Sequence, residues 1–229
     1  MLNENSIAKI IGALFLIAMA ASIAGNGLLL PIITDDNYLE TLLANNATVR
    51  AASVLMLVNS IAVVSIGVLM YEVLKRGSVF IAVGYLAARV IESVVLIFGV
   101  INVLSLIGLA EQFAKAEPAS AHLLSAARTA IDNNWYSYQA AMMALGVGSL
   151  CLCYVLYQFK LIPRLLSILG VIGYVTLAIA SLLAFLDFDL GLVATLPVFV
   201  FELVFGAWLI TKGFSSTAGR PESDIREDS

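Results

Sequence analysis

Six long apolar runs, separated by short polar segments, dominate the pattern of the chain. A helix needs about 20 apolar residues to cross the hydrocarbon core of a bilayer, and each run is long enough. The pattern predicts membrane spans over residues 7–30, 51–74, 79–109, 135–159, 165–185 and 190–210. The spans should be α-helical, because a lone strand in lipid would leave its backbone groups unpaired. The third run is longer than a crossing needs, so that helix must tilt or project from the bilayer.

Composition supports the same class of protein. The chain is 61% hydrophobic and 12% charged, whereas soluble domains carry about 25% charged residues. A soluble fold of this size could not cover so much apolar surface. We therefore expect an all-α, polytopic membrane helix bundle with the lipid bilayer as its first partner. The net charge of −4 and the lack of a basic cluster exclude nucleic acid as an expected partner.

The distribution of Lys and Arg predicts the orientation of the bundle. Basic residues are enriched in cytoplasmic segments of membrane proteins. One set of span ends carries Lys9, Lys75, Arg76, Lys160, Arg164, Lys212, Arg220 and Arg226. The opposite set has only Arg50, Lys115 and Arg128, among many acidic residues. Both termini should therefore lie in the cytoplasm.

The segments outside the spans allow two further predictions. The outer link at 111–134 should contain a short helix after Pro118, with Leu123, Leu124, Ala127 and Ile131 on one face. We expect this helix to rest on the membrane surface, with a lid as the alternative. Residues 1–214 should form the transmembrane domain, and 215–229 a polar, disordered cytoplasmic tail.

Three charged residues interrupt the apolar spans, and charges at this depth are costly. Arg89 and Glu92 lie on the third span, three residues apart, so they share a helix face. Glu202 lies about twelve residues into the sixth span, and all three fall near the bilayer midplane. Further polar residues at a similar depth complete the predicted centre: Tyr85, Tyr174 and Asn59.

Two interpretations of this centre remain open. In the first, Arg89 and a glutamate form a structural ion pair that fixes how the third span meets the sixth. In the second, the centre is functional, as a ligand pocket or a proton site. Two ionised carboxylates against one Arg would leave a buried negative charge, which a low dielectric opposes. Either one glutamate is then protonated, or water or a cation enters.

No residues predict catalytic or metal chemistry. Cys151 and Cys153 are two apart on a helix and point about 200° away from each other, so a disulfide is not expected. The chain has one His, His122, and its spans contain no nucleophile–base pair. We therefore expect no catalytic residue, no metal and no cofactor, and an enzyme is the least favoured class.

Four segments carry a family resemblance. They read IGALFL at 11–16, LMYEVLK at 69–75, GVGSLCLCYVLYQFKLIPRLLSILGVIGY at 146–174 and ELVFGAWLITKG at 202–213. With the six-span pattern, they resemble the bacterial membrane family known as domain of unknown function 4386. The resemblance implies a six-helix, multi-pass protein of the bacterial inner (plasma) membrane, and it implies no activity.

Two principal functions follow from these observations. The protein either binds or moves a small solute or lipid at the midplane centre, or it is a membrane scaffold for a partner, whose charges only hold the helices together. A wet cavity that reaches Glu202 from one face favours the first function, and a dry, bidentate Arg–Glu contact with tight packing favours the second. The sequence leaves the ligand, any direction of transport and the oligomeric state open.

Overall fold

The computed structural model describes residues 3–115, 121–188 and 190–215. All the regular secondary structure in these residues is helical, which confirms the predicted all-α bundle. The helices are α1 (Glu4–Ile33), α2 (Tyr38–Ala44), α3 (Asn46–Leu74), α4 (Val79–Lys115), α5 (Ala121–Gln158), α6 (Arg164–Ala184) and α7 (Gly191–Thr211). All except α2 are long and apolar enough to cross a membrane.

The six long helices form a closed ring. Going round it, α1, α3, α4, α5, α6 and α7 each pack against the next, and α7 returns to α1. Links of a few residues at 75–78 and 159–163 make sequence neighbours antiparallel. Each helix thus turns one face to lipid and one to the ring interior, where Phe15, Tyr85, Tyr174, Phe201 and Phe205 are buried.

The two ends of the ring differ in charge. One end, which we call the basic end, carries Lys9, Lys75, Arg76, Lys160, Arg164 and Lys212. The opposite acidic end carries Asp35, Asp36, Glu40, Glu111, Asp132 and Asp187. At the basic end, Arg76 forms a 2.9 Å salt bridge with Glu4. The amide of Ser215 donates to the carbonyl of Leu161, and this bond ties the chain after α7 to the α5–α6 link.

Helices α4 and α5 are longer than the sequence pattern predicts. They contain 37 and 38 residues, or about 55 Å each, against a hydrocarbon core of about 30 Å. The third span therefore continues past 109 to Lys115. The predicted short helix after Pro118 is not a separate element: from Ala121 it is continuous with α5, so the helix that carries the fourth span begins before residue 135. Pro118 itself lies outside the described residues.

The helical extensions form a second apolar core at the acidic end. There Leu106 of α4 and Ala127 of α5 pack with Leu39 and Leu42 of α2. The sequence pattern did not predict α2, which has seven residues. Leu123 and Ala127 of the predicted amphipathic face are buried, while Leu124 is 37% exposed. This face therefore packs on protein instead of resting on a membrane surface.

Two other predicted boundaries need small corrections. Helix α1 runs through Pro31 to Ile33, because a proline in the last turn forfeits one hydrogen bond while Thr34 still donates to Leu30. Helix α3 begins at Asn46, five residues before the predicted span. The predicted tail lies, apart from Ser215, outside the described residues.

Glycines bring α5 and α6 close together beside the polar centre. A Cβ at Gly146 would lie 2.9 Å from the carbonyl oxygen of Tyr174 and 2.9 Å from the amide nitrogen of Ala178, both on α6. Gly173 similarly meets the backbone of Val198 on α7. Small residues of this kind let membrane helices approach closely, and here they set the position of Tyr174.

Candidate functional site: a polar centre and a cavity inside the ring

The central ion pair of the bundle lies within one helix. Arg89 Nη1 donates to Glu92 Oε2 over 2.8 Å, and both side chains are 3% exposed. The residues are three apart on α4, so they meet on the same face. This pair cannot fix one helix against another. One residue further on, Ser93 does join two helices, because its hydroxyl donates to the Ser60 carbonyl of α3 over 2.9 Å.

Aromatic rings surround the guanidinium of Arg89. Its Cζ lies 5.8 Å from the ring centroid of Phe15 on α1 and 5.8 Å from that of Tyr85, a distance at which a cation is attracted to the ring face. Among the described residues, neither Arg89 Nε nor the Tyr85 hydroxyl has a hydrogen-bond partner. Buried donors are normally satisfied, so this side of Arg89 has hydrogen-bonding capacity left for a water or a ligand.

Glu202 forms a second polar unit, separate from the ion pair. Tyr174 of α6 donates from its hydroxyl to Glu202 Oε1 of α7 over 2.9 Å. In the described part of the chain, no salt bridge within 4.0 Å joins Glu202 to Arg89. The Glu202 side chain is partly exposed, whereas Arg89 and Glu92 are buried. A hydrogen bond between Tyr174 and Glu202 thus joins α6 to α7.

Stacked rings fill the space between these two units. Tyr174 contacts Phe201 edge-on at 5.5 Å, Phe201 stacks on Phe205 at 5.3 Å, and Phe205 meets Phe15 edge-on at 5.3 Å. The chain of rings therefore runs from Glu202 to the guanidinium of Arg89. Toward the basic end, the buried rings of Tyr85 and Phe205 lie next to the centre in their helices.

A polar cavity opens on the other side, toward the acidic end. Its volume is about 40 Å³, room for about one water molecule. Four helices line it, with residues Ser22, Asn26, Met56, Asn59, Leu96, Gly99, Val100, Asn134, Tyr138 and Met142. Leu96 is one helical turn beyond Glu92, so the cavity ends about 6 Å along α4 from the ion pair. Tyr138 lies close enough to both glutamates to interact with them electrostatically.

The structure distributes the six predicted site residues over three places. Arg89, Glu92 and Tyr85 lie together on α4, Tyr174 and Glu202 form their own hydrogen bond, and Asn59 lines the cavity. The glutamate that pairs with Arg89 is Glu92 of the same helix, and among the described residues no salt bridge joins Arg89 to Glu202 of the sixth span. Sequence reasoning missed the other cavity residues. Asn26 was a detectable polar interruption of the first span, while Asn134 and Tyr138 fell at the predicted start of the fourth.

The donor set of the centre is poor in metal ligands. Across the part of the chain that the structure describes, no three His, Cys, Asp or Glu side chains come together as a metal site requires. Cys151 and Cys153 are free thiols on different faces of α5.

Ring, centre and cavity together define a multi-pass membrane protein with a charged, aromatic interior. The comparison with known families agrees. A family model described as Domain of unknown function (DUF4386) matches residues 10–213, and the chain belongs to that family. No curated protein and no solved structure matches the chain.

Proposed function

We propose that the protein binds a small solute with a positively charged group in the polar cavity, above the Arg89–Glu92 pair. The observation that carries the proposal is the place where the cavity ends. It lies inside the ring, is lined by amide and hydroxyl groups together with apolar side chains, and stops one turn of α4 from a buried carboxylate. Binding sites in membrane proteins are commonly built near the midplane, between helices.

The charges of the centre support a cationic group on the solute. Arg89 brings one positive charge, and Glu92 and Glu202 bring up to two negative charges. A positive group above Glu92 would balance this excess, and a proton on Glu202 would do so in its absence. The cavity offers acceptor oxygens that suit an ammonium donor, among them the amide oxygens of Asn59 and Asn134.

The lining of the cavity supports entry of something larger than water. Met56 and Met142 lie on opposite sides, on α3 and α5. Methionine side chains adapt to irregular shapes because they are flexible and polarizable. Rotation of these two side chains would enlarge the cavity without moving a helix.

The geometry of the ion pair weakens the structural alternative. A pin between the third and sixth spans needs partners on two helices, and Arg89 pairs with Glu92 on its own helix. A scaffold remains the second candidate, favoured by one observation: both charged side chains are 3% exposed, and the guanidinium of Arg89 lies over the ring of Phe15. For the location, we infer the inner membrane of a bacterium, which the family resemblance and the helical spans support.

A binding screen tests the proposal directly. Purified protein in detergent is heated with a panel of millimolar amines, zwitterionic amino acids and betaines, with organic acids of matched size as controls. At least one cationic or zwitterionic compound should raise the melting temperature, while the acids should not. The shift should disappear in Asn59→Leu and persist in Asn102→Leu, the same change at an asparagine that does not line the cavity. A shift retained in Asn59→Leu would place binding elsewhere.

A further inference from the structure

A groove at the basic end of the bundle has no role in the proposed function. It has a volume of about 450 Å³ and lies where the α5–α6 link meets the end of α7. Its lining consists of Lys160, Ile162, Pro163, Arg164, Trp208 and Ser215. Both basic side chains are exposed, and no described acidic residue forms a salt bridge with either. The groove is therefore an open, positively charged site at the level of a span end.

The conformation of Lys160 is unusual for its residue type. Its φ is +50°, a left-handed value that normally favours glycine. The residue ends α5: Leu161 donates to the Leu156 carbonyl and Lys160 to that of Tyr157, which is the Schellman arrangement. Glycine is the common residue at this position. A lysine here places an ammonium group at the groove, although its left-handed backbone is strained for a residue with a side chain. Strain of this kind is typical of functional positions.

Arg164 and the start of α6 add to the positive character of the groove. The guanidinium of Arg164 stacks over Tyr157 with its Cζ 5.5 Å from the ring centroid, which holds it in place. Pro163 is the N-cap of α6 and provides no side-chain cap, so the first amides of the helix, with their partial positive charge, point to this side. Trp208 lines the groove with its indole ring, whose N–H is itself buried and has no acceptor among the described residues.

From these features we propose that the groove binds the phosphate group of an anionic phospholipid in the leaflet that the basic end faces. Arginine and lysine side chains with free helix amides are the usual phosphate ligands of proteins. Tryptophan is enriched at the level of lipid headgroups, and exposed apolar residues of the adjoining helix, such as Leu165, would contact the acyl chains. Basic pockets between membrane helices bind anionic headgroups in this way.

Retention of lipid by the full-length protein tests the proposal. Native mass spectrometry in a neutral detergent measures binding of phosphatidylglycerol and of phosphatidylcholine, at equal concentrations. The parent should retain the anionic lipid in preference. Lys160→Gln and Arg164→Gln should each weaken its binding about fivefold. The matched control is Lys75→Gln, which removes a charge at the same end that is already paired with Glu72 over 2.8 Å and should bind like the parent.

A further variant separates binding from folding. Lys160→Gly removes the charge and relieves the left-handed strain, so it should melt no lower than the parent while losing the same fivefold in phosphatidylglycerol binding. Equal binding by the parent and a Lys160→Gln/Arg164→Gln double variant would overturn the proposal, as would an equal loss in Lys75→Gln. Displacement of the lipid by millimolar glycerol phosphate would assign the groove to soluble phosphates and also overturn it.

Discussion

At the scale of residues, the charges of Arg89 and Glu92 can be buried because the two side chains pair with each other. The pair is made within one turn of α4 and is buried to 3% exposure. Removal of one partner from a buried pair leaves an unpaired charge, whereas replacement of both with apolar side chains is often neutral. Loss of one charge should therefore lower the stability of the protein far more than replacement of both charges by apolar side chains.

This dependence gives the first prediction. Arg89→Ala should destabilise the protein by about 3–5 kcal/mol, because it leaves the buried Glu92 without its partner. An Arg89→Met/Glu92→Leu double variant should recover most of that loss. Melting temperatures in detergent measure both effects. If Arg89→Ala melts like the parent, the ion pair has no structural role in the folded protein.

The hydrogen bond of Glu202 gives a second, smaller effect. Glu202→Gln keeps an acceptor oxygen for the Tyr174 hydroxyl, so its cost should be below that of Arg89→Ala. Tyr174→Phe removes the donor and should cost about 0.5–1.5 kcal/mol. In a double-mutant cycle the two changes should be non-additive, because they act through one bond. Additive losses would mean that the 2.9 Å contact contributes nothing to stability.

The sequence predicted the members of the polar centre better than their contacts. The depth of a residue in the membrane follows from its distance in sequence from the end of its span. This distance predicts that Arg89, Glu92 and Glu202 lie at one level near the midplane. Which glutamate Arg89 binds depends on helix rotation and on the rings of Phe15 and Phe205 that separate the spans. These rings are ordinary apolar residues in the sequence, so no pattern marks them as part of the site.

At the scale of elements, helix α5 shows why hydropathy underestimates helix length. Residues 132–134 read Asp-Asn-Asn, which ends the apolar run but not the helix. An ion pair and a hydrogen bond stabilise this polar stretch as helix. Asp132 binds Arg128 over 3.2 Å, and Asn133 donates to Asn102 of α4 over 3.2 Å. Pairs four apart on a helix support it locally. A span and its extension therefore appear as two elements in sequence.

Close packing between elements gives the third prediction. Gly146→Ala should destabilise the bundle by about 1–3 kcal/mol, since its Cβ would meet the backbone of Tyr174 and Ala178 at 2.9 Å. Gly84→Ala is the matched control, because nothing lies within 4 Å of its Cβ. That variant should melt at or slightly above the parent temperature, given the helix propensity of alanine. Equal melting of both variants would contradict the α5–α6 packing.

At the scale of the whole molecule, closure of the ring is the feature that sequence could not provide. Short links predict that neighbours in the chain are neighbours in space, but nothing in the links predicts that α7 returns to α1. Gly12 and Gly206 make that contact possible, because a Cβ at Gly12 would lie 2.5 Å from the Gly206 carbonyl oxygen. The closed ring is what creates an interior with a cavity.

Orientation in the membrane is the fourth prediction, and it rests on charge alone. The basic end should face the cytoplasm. Single cysteines at Asp35 and Asp187 should react with an impermeant reagent added outside intact cells, and those at Lys75 and Lys160 should react only after the cells are opened. The reverse pattern would invert the topology and would move the mouth of the polar cavity to the cytoplasm.

The central claim is that the ring encloses a polar cavity that a solute can reach, and thiol accessibility tests it most directly. Asn59 lines the cavity, while its neighbour Val58, at nearly the same depth, is 38% exposed on the apolar surface of the bundle.

In a background with Cys151→Ala and Cys153→Ala, Asn59→Cys and Val58→Cys are treated with a small, charged thiosulfonate. The thiolate attacks the sulfur of such a reagent and releases sulfinate, and the thiolate forms readily only in contact with water. The account predicts that the cysteine at 59 reacts, that the one at 58 does not, and that a compound that raises the melting temperature slows the reaction. Equal reactivity at both positions, or none at 59, would contradict it.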